Sequence, residues 1–237
     1  MDCLNPDGSG PLVLVCEHAS AYIPAALNGL GLSDADRLSH AAWDPGALAV
    51  AQAMSAALDA PLVAARVSRL VYDCNRPPDA PNAMPARSEV IEVPGNRDLS
   101  AAQRAARSAA IYDPFQARLR ATLAAHPGAA LVTVHSFTPT WFGQPRAAEI
   151  GLLHDADDRL AAAMLAGAQS LPAKAALNVP YAAADGVTHT LKLHGAGRRN
   201  VMIEIRNDLI ATPEAAAAMG QALADLIRLA LGTGAAQ

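Results

Sequence analysis

Aromatic side chains are scarce in this chain: nine Phe, Tyr and Trp occur among 237 residues. Lysine is scarcer still, with only Lys174 and Lys192, so the cationic groups are almost all arginine. Cys3, Cys16 and Cys74 form no CxxC pair, which excludes a disulfide framework and a cysteine-only zinc site. No apolar run approaches the roughly 18 residues of a membrane span. The opening MDCLNPDGSG lacks the basic-then-apolar pattern of a secretory signal. A soluble, cytoplasmic protein with no membrane partner is expected. The net charge of −4 speaks against a nucleic-acid partner, because such binding depends on neutralising phosphates. Neither GxxxxGK[ST] nor GxGxxG occurs, which argues against P-loop and dinucleotide sites. GxSxG and HExxH are missing as well, so no serine elbow and no helical zinc motif is written in the chain.

What the chain does contain is alanine, 56 residues of it, within a hydrophobic content of 52%. That suffices for one substantial core and excludes overall disorder. Short apolar runs predict strands at Leu12–Cys16, Leu62–Val67, Arg69–Asp73, Leu131–Val134, Ile150–Leu153, Ala176–Val179 and Val201–Ile205. Longer alanine-rich segments predict helices at Gly46–Leu58, Ala156–Ser170 and Pro213–Leu231, and within 100–125 with a break at Pro114. Asp44 before Pro45 reads as an N-cap, and Thr212 as another. The alternation predicts an α/β fold, a single domain over 1–237 with a largely parallel sheet flanked by helices. Residues 75–99 hold five prolines and no period, and read as an irregular excursion and a candidate lid.

Four polar clusters begin where these strands end: Glu17-His18, Asn75-Arg76, His135-Ser136, and Glu204 with Arg206. Parallel strands would gather them at one sheet edge, where open α/β sheets bind ligands. His18 and His135 are then candidate metal ligands, with Asp44 or Glu17 as the third, since a catalytic zinc commonly takes three protein ligands plus water. Glu204 interrupts an apolar strand, VMIEIR, and reads either as a general base or as an ion-pair partner of Arg206 on the same strand face. Arg69, Arg76 and Arg206 are candidates for holding a substrate carboxylate, for which planar bidentate pairing suits arginine. Asn75 could orient a carbonyl or an amino-acid head group. Arg97, Arg104, Arg107, Arg118 and Arg120 read as a solvated helix face. Cys16 lies in an apolar run and reads as buried rather than nucleophilic.

Taken in order, CEHAS with the following IP, AWDPGA, SRLVYDCNRPP, VTVHSFTP and MIEIRNDLI resemble the N-formylglutamate amidohydrolase family, in the branch whose first motif reads EHAS. The resemblance spans about residues 11–230. It implies an α/β fold like that of zinc-dependent exopeptidases, and metal-assisted hydrolysis of a small N-acyl acidic amino acid. The reaction that names the family converts N-formyl-L-glutamate to formate and L-glutamate, a late step of one histidine-degradation route. Carried onto this chain, the resemblance implies one divalent metal, zinc, held by His18, Asp44 and His135. It makes Glu204 the general base and sets Arg69, Asn75, Arg76 and Arg206 around the substrate. The enzymes named for the reaction read nearer to PHTGT in the first motif, where this chain has EHASAYIP. The acyl group is therefore open, and the alternatives are a zinc carboxypeptidase or deacylase and a non-catalytic acidic amino-acid-binding protein. The scarcity of aromatics points to a small, charged substrate.

Overall fold

Apolar runs too continuous to alternate form strands buried on both faces. The computed structural model, which describes residues 1–232, gathers seven strands into one sheet, five of them such buried runs and the two edge strands less buried. They are β1 (Asp2–Leu4), β2 (Leu12–Cys16), β3 (Leu62–Ala64), β4 (Ala130–Phe137), β5 (Ile150–Leu153), β6 (Ala175–Leu177) and β7 (Asn200–Arg206). The order across the sheet is β1-β3-β2-β4-β7-β5-β6. Strands β3, β2, β4 and β7 run parallel, whereas β1 pairs antiparallel with β3 and β5 antiparallel with β7. The sheet is thus largely parallel, and its central strands present their carboxyl ends along one edge. Every residue of β4 is buried, His135 included.

Beyond a short helix α1 (Asp34–Leu38), one face of the sheet is covered by α2 (Ala47–Leu58), α5 (Arg159–Gly167) and α7 (Pro213–Gly232). Val50, Met54, Met164, Leu223 and Ile227 pack there against Leu14, Val132 and Ile203. Gly220 lies where any Cβ would come within 2.6 Å of Ala53 Cβ, and this close approach explains why small residues fill the α2–α7 seam. Helix α7 is long and apolar enough to cross a membrane, but it packs on α2 and α5 as a core helix. The other face is covered by α4 (Asp113–Ala125) and α6 (His189–His194), with Phe115, Leu119 and Leu191 against Val13, Leu131 and Met202. Ahead of α4, α3 (Ala101–Arg107) starts on a Ser100–Gln103 capping box, and a π turn at Ser108–Tyr112 joins the two before Pro114. The break lies where proline removes a backbone donor.

Four local expectations change. Arg69–Asp73 is no strand. It runs through turns, because the Ser68 hydroxyl and the neighbouring Arg69 N–H both donate to the Ala42 carbonyl, while the Ser68 N–H donates to the Tyr22 carbonyl. Strand β3 accordingly stops at Ala64, and β6 begins one residue earlier than the pattern suggested. Asp44 does not cap α2 either: Gly46, at φ +82°, holds that position, which frees the Asp44 carboxylate for other partners. Thr212 does cap α7, with its Oγ1 accepting from Ala215 N–H at 3.2 Å.

Candidate metal centre and active site

Three buried side chains meet at the carboxyl edge of the sheet. His18 stands in the turn just past β2, His135 lies inside β4, and Asp44 occupies the loop before α2. The loop is tied in place by the Asp44 N–H, which donates to the His18 carbonyl at 2.9 Å. Asp44 Oδ2 lies 3.1 Å from His18 Nδ1 and 3.0 Å from His135 Nδ1, and the two Nδ1 atoms are 3.2 Å apart. Ligand atoms on one face of a tetrahedral zinc with bonds of about 2.0 Å stand about 3.3 Å apart. Two imidazoles and a carboxylate in such a triangle could hold a divalent cation.

Each imidazole turns its other nitrogen toward a buried carboxylate. His18 Nε2 is 2.8 Å from Asp73 Oδ1. His135 Nε2 is 3.1 Å from Glu17 Oε2, within ion-pair reach but not aligned as a hydrogen bond. A carboxylate behind a ligating histidine holds its proton on the far nitrogen and points the near lone pair at the metal. Glu17 thus stands behind His135 and away from the shared point, leaving Asp44 as the third donor. Burial alone would lower both histidines, but their carboxylate neighbours outweigh it and raise them. Burial would likewise raise Asp44, yet His18, His135 and Arg69 pull it well below the usual carboxylate range. The same centre holds His40, whose Nδ1 is 3.6 Å from Asp44 Oδ1. Burial drives His40 down to about 4, so it is neutral at pH 7.

Beside this triangle lies Glu204. It is the register partner of His135 across the parallel β4–β7 pair, and on its other flank it faces Gly151, which brings no side chain. Its Oε2 is buried with no hydrogen-bond partner among the described residues. Burial pushes the carboxyl up to about 7, against the lowering effect of His135. An acid poised there exchanges protons near neutrality, as a general base must. It makes no ion pair with Arg206.

His18, Asp44, Asp73, His135 and Glu204 open onto a cavity of about 290 Å³. Of the residues expected to hold substrate, Arg69, Asn75 and Arg76 line it and Arg206 does not. Arg69 donates to Asp44 Oδ1 at 2.9 Å, which fixes the carboxylate from its far side. The Asn75 amide is spent on backbone, donating to the Val187 carbonyl and accepting from Thr190 N–H at 3.0 Å. Arg76 donates to the Asn75 carbonyl at 2.9 Å and contributes its charge beside Asp73. Arg206 lies beyond the wall, paired with Asp208 at 2.8 Å and Glu149 at 3.8 Å.

Sequence reasoning found the irregular excursion as a candidate lid but missed the residues through which it acts. The roof of the cavity is the irregular excursion, which presents Asn82, Pro85, Arg87, Ser88 and Glu89. It is pinned. Asn96 donates to the Leu70 and Pro85 carbonyls at 2.8 and 2.9 Å, while Arg107 donates to Asn96 Oδ1 at 2.6 Å and Arg104 to the Ala80 carbonyl at 2.9 Å. Arg104 and Arg107 are therefore roof fasteners rather than a solvated face, a role that no helical period could signal. The aromatics missed are Trp141 and Tyr181, which line the cavity's flank. Together with Phe137 they surround the Arg146 guanidinium at 4.8 to 5.3 Å, a stacking that arginine favours. In an aromatic-poor chain, that concentration at one corner was the available signal.

A family model described as N-formylglutamate amidohydrolase matches residues 10–211. The chain is also similar to the crystal structure of a gene product from Agrobacterium tumefaciens, at 51% identity and a TM-score of 0.96, over 99% of this chain and 95% of that one. A second similarity is to the crystal structure of N-formylglutamate amidohydrolase from Ralstonia eutropha JMP134. There the identity is 19% and the TM-score 0.75, over 100% of this chain and 98% of that one, a likeness of fold. No curated protein matches the chain.

Proposed function

The chain belongs to the N-formylglutamate amidohydrolase family, and on that premise we propose that it hydrolyses the amide bond of a small N-acyl acidic amino acid. N-formyl-L-glutamate, giving formate and L-glutamate as in histidine degradation, is the substrate on which this reading rests. The observation that carries it is the approach of three donor atoms, from His18, Asp44 and His135, to within 3.2 Å of one another beside a buried Glu204 whose Oε2 has no hydrogen-bond partner among the described residues. These three residues would hold one divalent cation, zinc by the mix of imidazole and carboxylate donors. That cation, when bound, supplies Lewis-acid polarisation of the scissile carbonyl and acidifies the attacking water.

The protein's own groups divide the remaining work. Glu204 accepts the proton of the attacking water and returns it to the amide nitrogen as the carbon–nitrogen bond breaks, so that the amino acid leaves as a neutral amine. Arg69 and the Ser136 N–H, 2.9 and 3.3 Å from the two Asp44 oxygens, keep that carboxylate from rotating. Arg76, on the cavity wall beside Asp73, holds a substrate carboxylate, which orients the amide toward Glu204. The roof limits water access above the reacting groups. Cys3, Cys16 and Cys74 are all free thiols, in keeping with a reducing, cytoplasmic setting.

The test combines metal analysis of the purified protein with formate release from N-formyl-L-glutamate and a panel of other N-acyl amino acids. The reading expects about one zinc per chain and formate release that Glu204→Gln abolishes. It is lost if the protein binds no divalent metal and releases neither formate nor any other acid from the panel. Release of a larger acyl group instead of formate would move the assignment to a deacylase.

A further inference from the structure

We infer that Arg87, on the roof of the cavity, is the residue that selects for a second carboxylate on the substrate. The inference rests on the amidohydrolase reading above and names what that reading leaves open, namely how an acidic side chain is told from a neutral one. A dicarboxylate bound through both ends needs two cationic groups with donors to spare. Arg69 is committed to Asp44, and Arg206 lies outside the cavity with Asp208 and Glu149. Arg146 has a spare donor, the buried Nη1, but it does not line this cavity: three aromatic rings enclose its guanidinium, and its Nη2 donates to Tyr181 Oη at 3.0 Å. Two arginines of the cavity wall remain, Arg76 and Arg87.

Their positions differ in a useful way. Arg76 neighbours Asp73, the carboxylate that touches His18, and so sits on the side of the reacting centre. Arg87 comes down from a short strand pair, Arg87–Ser88 against Ile91–Glu92, in the roof. Its Nε donates to the Glu89 carbonyl at 3.1 Å, which fixes the direction of the guanidinium. Its acidic neighbour Glu92 stands 3.6 Å away through one oxygen, while the other oxygen is held by Arg97 at 3.0 Å. The terminal nitrogens of Arg87 therefore keep hydrogen-bonding capacity for a ligand. The side chain is 62% exposed, but a substrate seated beneath the roof would displace water from it. Asn96, Arg104 and Arg107 anchor the roof, so Arg87 is presented at a set height and need not be recruited by lid closure.

The experiment compares the zinc-loaded wild type with Arg87→Gln on N-formyl-L-glutamate and on N-formyl-L-glutamine, which has the same shape without the charge. The expected result is a rise in KM for the glutamate substrate of about tenfold or more, the scale of one charge-assisted hydrogen bond. The kcat should change little, and the glutamine substrate should be nearly indifferent to the substitution. Arg87→Lys should recover part of the preference. Equal effects on both substrates, or none on either, overturn the inference while leaving the amidohydrolase reading intact. Calorimetric titration with L-glutamate and L-glutamine supplies the second arm. If no formyl amino acid is hydrolysed, yet L-glutamate binds in an Arg87-dependent way, the catalytic reading falls and the selectivity of Arg87 stands. If L-glutamate binding is also insensitive to Arg87→Gln, both fall.

Discussion

Glu204 and His135 are register partners on adjacent parallel strands, so their side chains emerge side by side from the same face of the sheet. His135 belongs to the donor triangle, and Glu204 beside it keeps Oε2 buried without a hydrogen-bond partner among the described residues. Two buried strands thus place the proposed metal ligand and the proposed proton carrier in fixed relation, with no loop between them to move. Sites built on strands hold geometry better than sites built on loops. The remaining parts, His18, Asp44 and the roof, are brought to this pair by turns and by hydrogen bonds to backbone.

The carboxylates behind the histidines should matter to metal affinity almost as much as the histidines themselves. Asp73→Asn and Glu17→Gln keep size and shape but no longer hold the imidazole proton on Nε2 as a carboxylate does. Zinc affinity should fall roughly 10- to 100-fold for each, read by competition against a chromophoric chelator. Circular dichroism should show an intact fold. Unchanged zinc affinity in both variants would mean that the Nδ1 atoms are aimed by packing alone.

Gly46 should be intolerant of a side chain, and its loss should be felt at Asp44. Its φ of +82° is unfavourable for other residues, and a Cβ there would lie 2.7 Å from the Ile210 carbonyl oxygen. Gly46→Ala therefore combines backbone strain with a clash against backbone, at about 1–3 kcal/mol. Because the Asp44 loop ends on this turn, weaker zinc binding should accompany the loss of stability. A thermal melt with and without zinc measures both. A variant as stable as wild type, with normal zinc binding, would show that the turn is not strained.

The parts of this molecule that were legible in sequence are those that depend on runs and order. LVLVC, LVTVHSF and VMIEIR form buried strands because a strand covered on both faces has to be apolar throughout, and polar residues inside them then stand out. Glu204 was visible inside such a run, and His18 and His135 where the predicted runs end. Asp44 was seen as a residue but given the wrong local role, since Asp-Pro is a common helix opening and the capping position went to Gly46. Arg206 looked like a clamp from its neighbourhood to Glu204, but a nearby Asp208 and Glu149 hold it outside the cavity. Arg87 and Asn96 were illegible. They act through a segment without period, where position is set by hydrogen bonds between residues far apart in sequence.

Asn96 is the fastener of the roof. Its amide donates twice to carbonyls and its oxygen accepts from Arg107, all while the residue is 4% exposed. Asn96→Ala would strand the Leu70 and Pro85 carbonyls and one arginine donor. A loss of about 1–3 kcal/mol is expected, measured by urea unfolding of the zinc-loaded protein. The KM for N-formyl-L-glutamate should rise as well, because Arg87 hangs from the same segment. If stability falls but KM does not, the roof does not position substrate.

The last prediction separates what Glu204 does for catalysis from what it costs the fold. Glu204→Gln should lower kcat by about 10²- to 10⁴-fold, the usual contribution of a positioned general base, while zinc still binds. In the metal-free protein the same variant should gain stability, and the gain should depend on pH. The folded carboxyl has its pKa raised to about 7, against about 4.3 for an unfolded glutamate. A raised carboxyl favours the fold fully below the unfolded value, and that contribution is lost as pH climbs to about 7. Above pH 7 the wild type carries a buried charge that glutamine does not. The stability difference between variant and wild type should therefore widen from pH 4 to pH 8, by on the order of 3 kcal/mol. Urea unfolding of both metal-free proteins at pH 4 and pH 8 reads it directly. A difference that stays constant between those two values would mean that the acid is not held neutral by burial. Its fitness as a proton carrier at neutral pH would then need another source.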